Sequence, residues 1–172
     1  MSPEKQDFLP GFGPENSIIH AAALLLIKID NNIPYFLVAK RLNRRGYTLP
    51  GGCVKPGETP RDGATRELLE ETGIHLFWTE YLISAHPRQE GILICDNKKN
   101  YLTHLFFTFF DGATDEKEPI NVEPEKHSNW QWVPLSELPD KIMVGDLHPV
   151  LLQEFVLSQI EECLTLFYPS SE

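Results

Sequence analysis

The sequence is poor in the features that mark secreted, membrane-spanning and polynucleotide-binding chains. Its three cysteines, Cys53, Cys95 and Cys163, are an odd number without CxxC spacing. That argues against a disulfide framework and against a thiolate zinc site, and it fits a reducing compartment. The apolar runs are too short or too interrupted by charge to span a bilayer, so no membrane partner is expected. The start, MSPEKQDFLPGFGPENS, lacks a basic segment followed by an apolar stretch and a small-residue cleavage site. It does not read as a secretory signal, and a cytoplasmic location is expected. Positive charge is also in deficit: 15 Lys and Arg face 25 Asp and Glu, a formal net charge of −10. Binding of duplex DNA or RNA draws on counterion displacement by Lys and Arg, so no polymeric nucleic-acid partner is expected. A small phosphorylated ligand stays compatible, because a bound divalent cation reverses the sign of the local field.

What the chain does have is enough apolar sequence for one core. Its 172 residues, 41% hydrophobic and 23% charged, suit one globular domain and are too few for two ordinary ones. Residues 1–16, rich in Pro, Gly and charge, are expected to form a loose arm, and 17–168 the domain. Ser17 to Ile29 and Tyr35 to Arg41 are apolar and flank Asp30-Asn31-Asn32, which suggests a hairpin of partly buried strands. Ala21 to Ile27 also admits a helical reading. Further strands are expected at Leu76 to Ser84, Ile92 to Cys95, Tyr101 to Phe110 and Trp130 to Val133, with a helical turn at Pro134 to Leu138. Val150 to Phe167 reads as a longer helix with a broad apolar face, able to cover the sheet or a second subunit in a homodimer. This mixture implies an α/β sandwich with a mixed sheet.

The Pro60 to Thr72 segment has the strongest helix signals. Thr59 suits the N-cap with Asp62 three residues on, Pro60 fills the first helical position, and Gly73 suits a left-handed stop. On that helix Glu67 neighbours both Glu70 and Glu71, and Glu58 precedes the stripe. Like charges so spaced oppose helix formation by roughly 0.2–0.5 kcal/mol per pair, so the stripe makes better sense facing a cation. Carboxylate oxygens suit Mg²⁺, which binds one or two of them and completes its shell with water and phosphate. Arg66 reaches Glu70 at i, i+4 and can hold a carboxylate in place. Leu68 and Ala64 lie on another side, where they anchor the helix. An arbitrary acidic helix face is usually just solvated.

The pattern from Gly52 to Ile74, Gly, five residues, Glu58, seven residues, then Arg66-Glu67-Leu68-Leu69-Glu70-Glu71-Thr72-Gly73-Ile74, resembles the Nudix box at every defined position. The element order around it is similar to the Nudix α/β/α sandwich. The resemblance implies metal-dependent hydrolysis of a phosphoanhydride in a nucleoside diphosphate derivative, with Mg²⁺ or Mn²⁺ as cofactor. It implies Glu67, Glu70 and Glu71 as metal ligands or base, Arg66 and Glu58 in support, and a carbonyl of Gly51 or Gly52 on the metal. Glu118 to Lys126, Trp130 to Pro134 and Glu137 to Pro139 further resemble the branch of that family that cuts thiopurine-type nucleoside triphosphates. That branch implies a small nucleotide substrate, a triphosphate cut to monophosphate and pyrophosphate, with Lys40 and Arg41 as phosphate contacts. Glu123 or Glu125 is expected to add a loop carboxylate that orients water or completes the metal shell.

Rival readings come from other segments. Tyr101 to His104 and Asp146 to His148 are reminiscent of Nudix enzymes acting on nucleotide sugars, and His86 to Asn100 is long enough to reshape a base pocket. A nucleotide-binding regulatory module would be expected to lack one or more box carboxylates. Trp130 and Trp132 alternate across a strand, with core packing the default and base stacking the alternative. His20 and His104 read as core residues; His75, His86, His127 and His148 fall near turns and read as exposed. None is assigned to catalysis. Cys53 reads as inert, with a reactive thiol the alternative.

Overall fold

A computed structural model describes residues 18–42, 46–79, 82–84, 91–96, 99–110, 113–137 and 154–167. The expected arm at 1–16, and His86, Asp146, His148 and Val150, lie outside the described residues.

The chain opens on strand β1 (Ile18–Asp30), which turns at Asn31 and Asn32 into β2 (Ile33–Lys40). Both turn residues have positive φ, 49° and 63°, as a two-residue hairpin of matching twist requires and as asparagine tolerates. The short strands β3 (Tyr47–Thr48) and β4 (Gly51–Cys53) lead into helix α1 (Pro60–Thr72). Then follow β5 (Ile83–Ser84), β6 (Ile92–Asp96), β7 (Lys99–Phe109), β8 (Gln131–Pro134), a 3-10 turn at Leu135–Glu137 and helix α2 (Glu154–Phe167).

Strand β1 organises the sheet. It runs parallel to β7 from Ile18 opposite Asn100 to Ile27 opposite Phe109, while its other edge pairs antiparallel first with β4 and then with β2. The remaining pairings are antiparallel, so the sheet is mixed. Alternation along β1 separates two cores. Ala23, Leu25 and Ile27 pack with Phe36, Phe107 and, from α2, Ile160 and Leu164. Ala22, Leu24 and Leu26 face the other way, against Ala64 and Leu68 of α1. The result is the expected α/β/α sandwich, and Ile160 and Leu164 are used on the chain's own sheet.

Two expectations need correction. Ala21 to Ile27 is strand, which removes the helical alternative. The stretch Leu76 to Ser84 is not one strand: Leu76 forms a single bridge with Thr114, and only Ile83–Ser84 pairs with β7. The carbonyls of Leu82 and Thr79 are instead taken by the Arg61 guanidinium, which satisfies that backbone without a sheet partner.

Candidate active site

Helix α1 is set at both ends by its own sequence. The Thr59 hydroxyl accepts the Asp62 N–H at 3.1 Å, and Gly73, at φ 75°, returns its N–H to the Leu69 carbonyl. Two further C-terminal carbonyls are met by a distant segment: Glu71 O accepts the Trp130 indole N–H at 3.1 Å, and Thr72 O accepts the Ile120 N–H at 2.9 Å. With Ala64 and Leu68 fully buried against the sheet, the glutamate face is turned toward β4 and the loop before β8.

Arg66 ties the first group of carboxylates. Its Nε donates to Glu58 Oε2 at 2.8 Å and its Nη2 to Glu58 Oε1 at 3.0 Å, a bidentate pair. Its Nη1 donates to Glu67 Oε1 and Glu70 Oε2, both at 3.0 Å, and Nη2 also reaches the Cys53 carbonyl. The guanidinium holds the Glu58 carboxyl below the usual carboxylate range, and Glu58 and Glu67 hold Arg66 firmly charged. Glu70 is half exposed and is held outward by Arg66.

Glu71 has a different environment. It is buried, and its Oε1 accepts the Gly51 backbone N–H at 3.0 Å. Burial pushes its carboxyl up to about 8, with the Gly51 N–H opposing the shift and the charges of Glu67 and Glu123 adding to it. A Cβ at Gly52 would run into the Glu67 carboxylate, and one at Gly51 would meet Ala22 O at 2.6 Å. Gly52 therefore allows the Glu67 carboxylate to lie directly on the β4 backbone, and Gly51 allows β4 to lie close against β1.

These groups line an open cleft of about 440 Å³. Glu67, Glu71, Gly51 and Gly52 form one wall, and Glu123 and His127 another. Among the described residues its cations are Arg41 and Lys126, and Lys126 Nζ lies 2.7 Å from Glu123 Oε1. The structure thus brings together Arg41, Gly51, Gly52, Glu67, Glu71 and Glu123 of the expected residues. Lys40 and Glu125 are exposed and outside the cleft lining, and Glu58, Arg66 and Glu70 stand behind it as a tied group. Cys53 also lines the cleft.

The expectation that His127 is exposed fails. It is 4% exposed, because a bridge to Arg41 and the bond from Ser128 N to Lys40 O at 2.8 Å fold the 123–128 loop onto the end of β2. Sequence reasoning missed it as a site residue. The available signal was its place four residues after Glu123. Trp130 is buried and Trp132 packs against Phe110, so both serve the core. His20 and His104 stack with ring centroids 5.6 Å apart, and burial, then His20, lowers the His104 pKa.

The donor set fits a divalent cation. Two adjacent carboxylates, Glu67 and Glu71, meet in one cleft, and the burial that raises Glu71 is a cost that a cation would offset.

A model of the NUDIX domain matches residues 19–154. The chain is 34% identical over 117 residues to an RNA pyrophosphohydrolase of Bartonella clarridgeiae, covering 59% of this chain and 64% of that relative. It thus spans less than two thirds of that relative's length. It is 28% identical over 144 residues to an RNA pyrophosphohydrolase of Zymomonas mobilis, covering 78% of this chain and 92% of that protein. Among solved structures, a MutT NUDIX hydrolase from Burkholderia pseudomallei superposes with TM-score 0.63 at 22% identity, covering 84% of this chain and 98% of that one. That likeness supports the fold.

Proposed function

The chain belongs to the NUDIX family of hydrolases, which act on pyrophosphate bonds, and on that premise we propose that it cleaves a nucleoside 5′-triphosphate to the monophosphate and pyrophosphate. The observation that carries the reading is the meeting of the Glu67 and Glu71 carboxylates with the Gly51-Gly52 backbone in one open cleft that also holds Arg41 and Lys126. Glu67 and Glu71 are the residues to hold Mg²⁺ or Mn²⁺, with a carbonyl of Gly51 or Gly52 beside them. When bound, the cation supplies charge neutralisation on the nonbridging phosphate oxygens. Arg66 keeps Glu67 in register by binding it together with Glu58 and Glu70. Arg41 and Lys126 take the outer phosphates. Glu123 orients the attacking water or completes the cation's shell. Water adds to phosphorus as the bond to the bridging oxygen breaks, the departing pyrophosphate takes the electron pair, and the water's proton passes to a cleft carboxylate.

The names of the relatives favour a second substrate reading, the 5′-triphosphate end of an RNA. On that reading a polymeric nucleic acid is a partner, against the expectation drawn from charge. The net charge of −10 weighs against tracking a duplex through many phosphates. It does not weigh against seating one terminal triphosphate. The nucleotide-sugar reading gains no support from His104, which stacks on His20.

The test is a product screen on the full chain with Mg²⁺, using free nucleoside triphosphates, 5′-triphosphorylated RNA and nucleotide sugars. Monophosphate and pyrophosphate from either triphosphate, lost with chelator, is the expected result. Turnover of nucleotide sugars alone would remove the triphosphate reading.

A further inference from the structure

His127 is the buried polar group in the cleft that the box glutamates do not explain. Its Nδ1 lies 3.1 Å from the Ser128 carbonyl, which can only accept, so the ring donates there and a neutral ring leaves the Nε2 lone pair bare. Nε2 is fully shielded and has no hydrogen-bond partner among the described residues. It lies 3.6 Å from Glu71 Oε2, too far for a hydrogen bond. A buried ring nitrogen without a partner costs free energy unless something occupies it.

Glu71, Glu123 and His127 each offer one ligand atom, and the three atoms lie within 4.8 Å of one another. Ligands of one cation bonded at about 2.1 Å stand about 3.0 Å apart when adjacent and about 4.2 Å apart when opposite, so side-chain movements of about an ångström close the set. Asn121 Nδ2 donates to the His127 carbonyl at 2.9 Å and the Arg41 bridge holds the same residue, so the ring is placed by the backbone. Lys126, exposed on its long stem, pairs with Glu123, and a cation arriving there replaces one counter-charge by another.

We propose that Glu71, Glu123 and His127 form a cation site with one nitrogen ligand, so that the cleft takes a transition ion such as Mn²⁺ ahead of Mg²⁺. Imidazole suits first-row transition divalents such as Fe²⁺, Ni²⁺ and Zn²⁺, and Mn²⁺ stands at the weak end of that series, whereas Mg²⁺ prefers oxygen throughout. The proposal rests on the reading of this cleft as the cation-binding centre.

The test is pulsed electron paramagnetic resonance of the full chain loaded with Mn²⁺ alone, with calorimetric titration of Mn²⁺ and Mg²⁺. Wild type should show nitrogen coupling from a coordinated imidazole. His127→Gln should lose it and bind Mn²⁺ at least about tenfold more weakly, with a smaller change for Mg²⁺. His104→Gln should keep the coupling, which separates this site from the His20 and His104 pair. If His127→Gln does not fold, the wild-type spectrum beside those of His104→Gln and Glu123→Gln decides: coupling kept in the first with weakened Mn²⁺ binding in the second supports the site. Bound Mn²⁺ without nitrogen coupling in wild type, or coupling lost in His104→Gln, overturns the nitrogen ligand and leaves the hydrolase reading standing. Absence of cation binding together with hydrolysis that survives chelation overturns both.

Discussion

The Glu71 carboxylate accepts the Gly51 backbone N–H at 3.0 Å, joining helix α1 to strand β4 across 20 residues of chain. The bond points one carboxyl oxygen at the loop and leaves the other toward His127, 3.6 Å away. It also holds the carboxyl in a buried place where ionisation is costly without a cation.

Loss of either cleft carboxylate of the helix should act mainly on turnover. Glu67→Gln and Glu71→Gln are each expected to lower kcat by at least about a hundredfold with circular dichroism unchanged. Glu161→Gln, exposed on α2, should be nearly silent. Equal damage from all three would place the reaction elsewhere.

Arg66 binds three carboxylates at once, so a lysine cannot replace it. Arg66→Lys should weaken Mg²⁺ binding by about tenfold or more through displaced Glu67, the scale of losing a partner behind a metal ligand. Titration of Mg²⁺ by calorimetry measures it. An unchanged affinity would mean that Arg66 only stabilises the helix.

Stability without metal should depend on pH through Glu71. Its folded pKa, about 8, lies above the ordinary carboxyl value of 4.5, so the folded state binds the extra proton between those values. Its contribution is fully present below about 4.5 and is lost as pH rises through about 8. The melting temperature of Glu71→Gln relative to wild type, measured in chelator, should therefore climb from pH 5 to pH 9. Adding Mn²⁺ should reverse the trend. A difference flat across that range would show that burial does not perturb Glu71.

Glu123 and Glu125 are no longer equivalent. Glu123 lines the cleft and Glu125 is exposed outside its lining, so Glu123→Gln should shift the metal dependence of kcat while Glu125→Gln leaves it near wild type. Activity assays at limiting and saturating Mn²⁺ separate a ligand from a base. Matching behaviour of the two variants would falsify the assignment.

Helix α1 and the hairpin were legible in the sequence because their causes are local: a Thr59 cap, Pro60, a Gly73 stop and the Asn31-Asn32 turn. The box pattern supplied the family and the carboxylates for the same reason, since helical spacing alone puts Glu67, Glu70 and Glu71 on neighbouring rows. Which of them faces the cleft was not local. Arg66 draws Glu58 and Glu70 away from it, while the Gly51 N–H keeps Glu71 in it, and both outcomes depend on how the helix lies on the sheet. Leu76 to Ser84 has strand-like sequence but pairs as a strand only at Ile83–Ser84, and Arg61 takes the carbonyls of Thr79 and Leu82 before it. His127 looks like a turn residue in sequence. It becomes a buried cleft residue only because its loop is pinned to the end of β2 by Arg41 and Lys40, a contact between segments far apart in the chain.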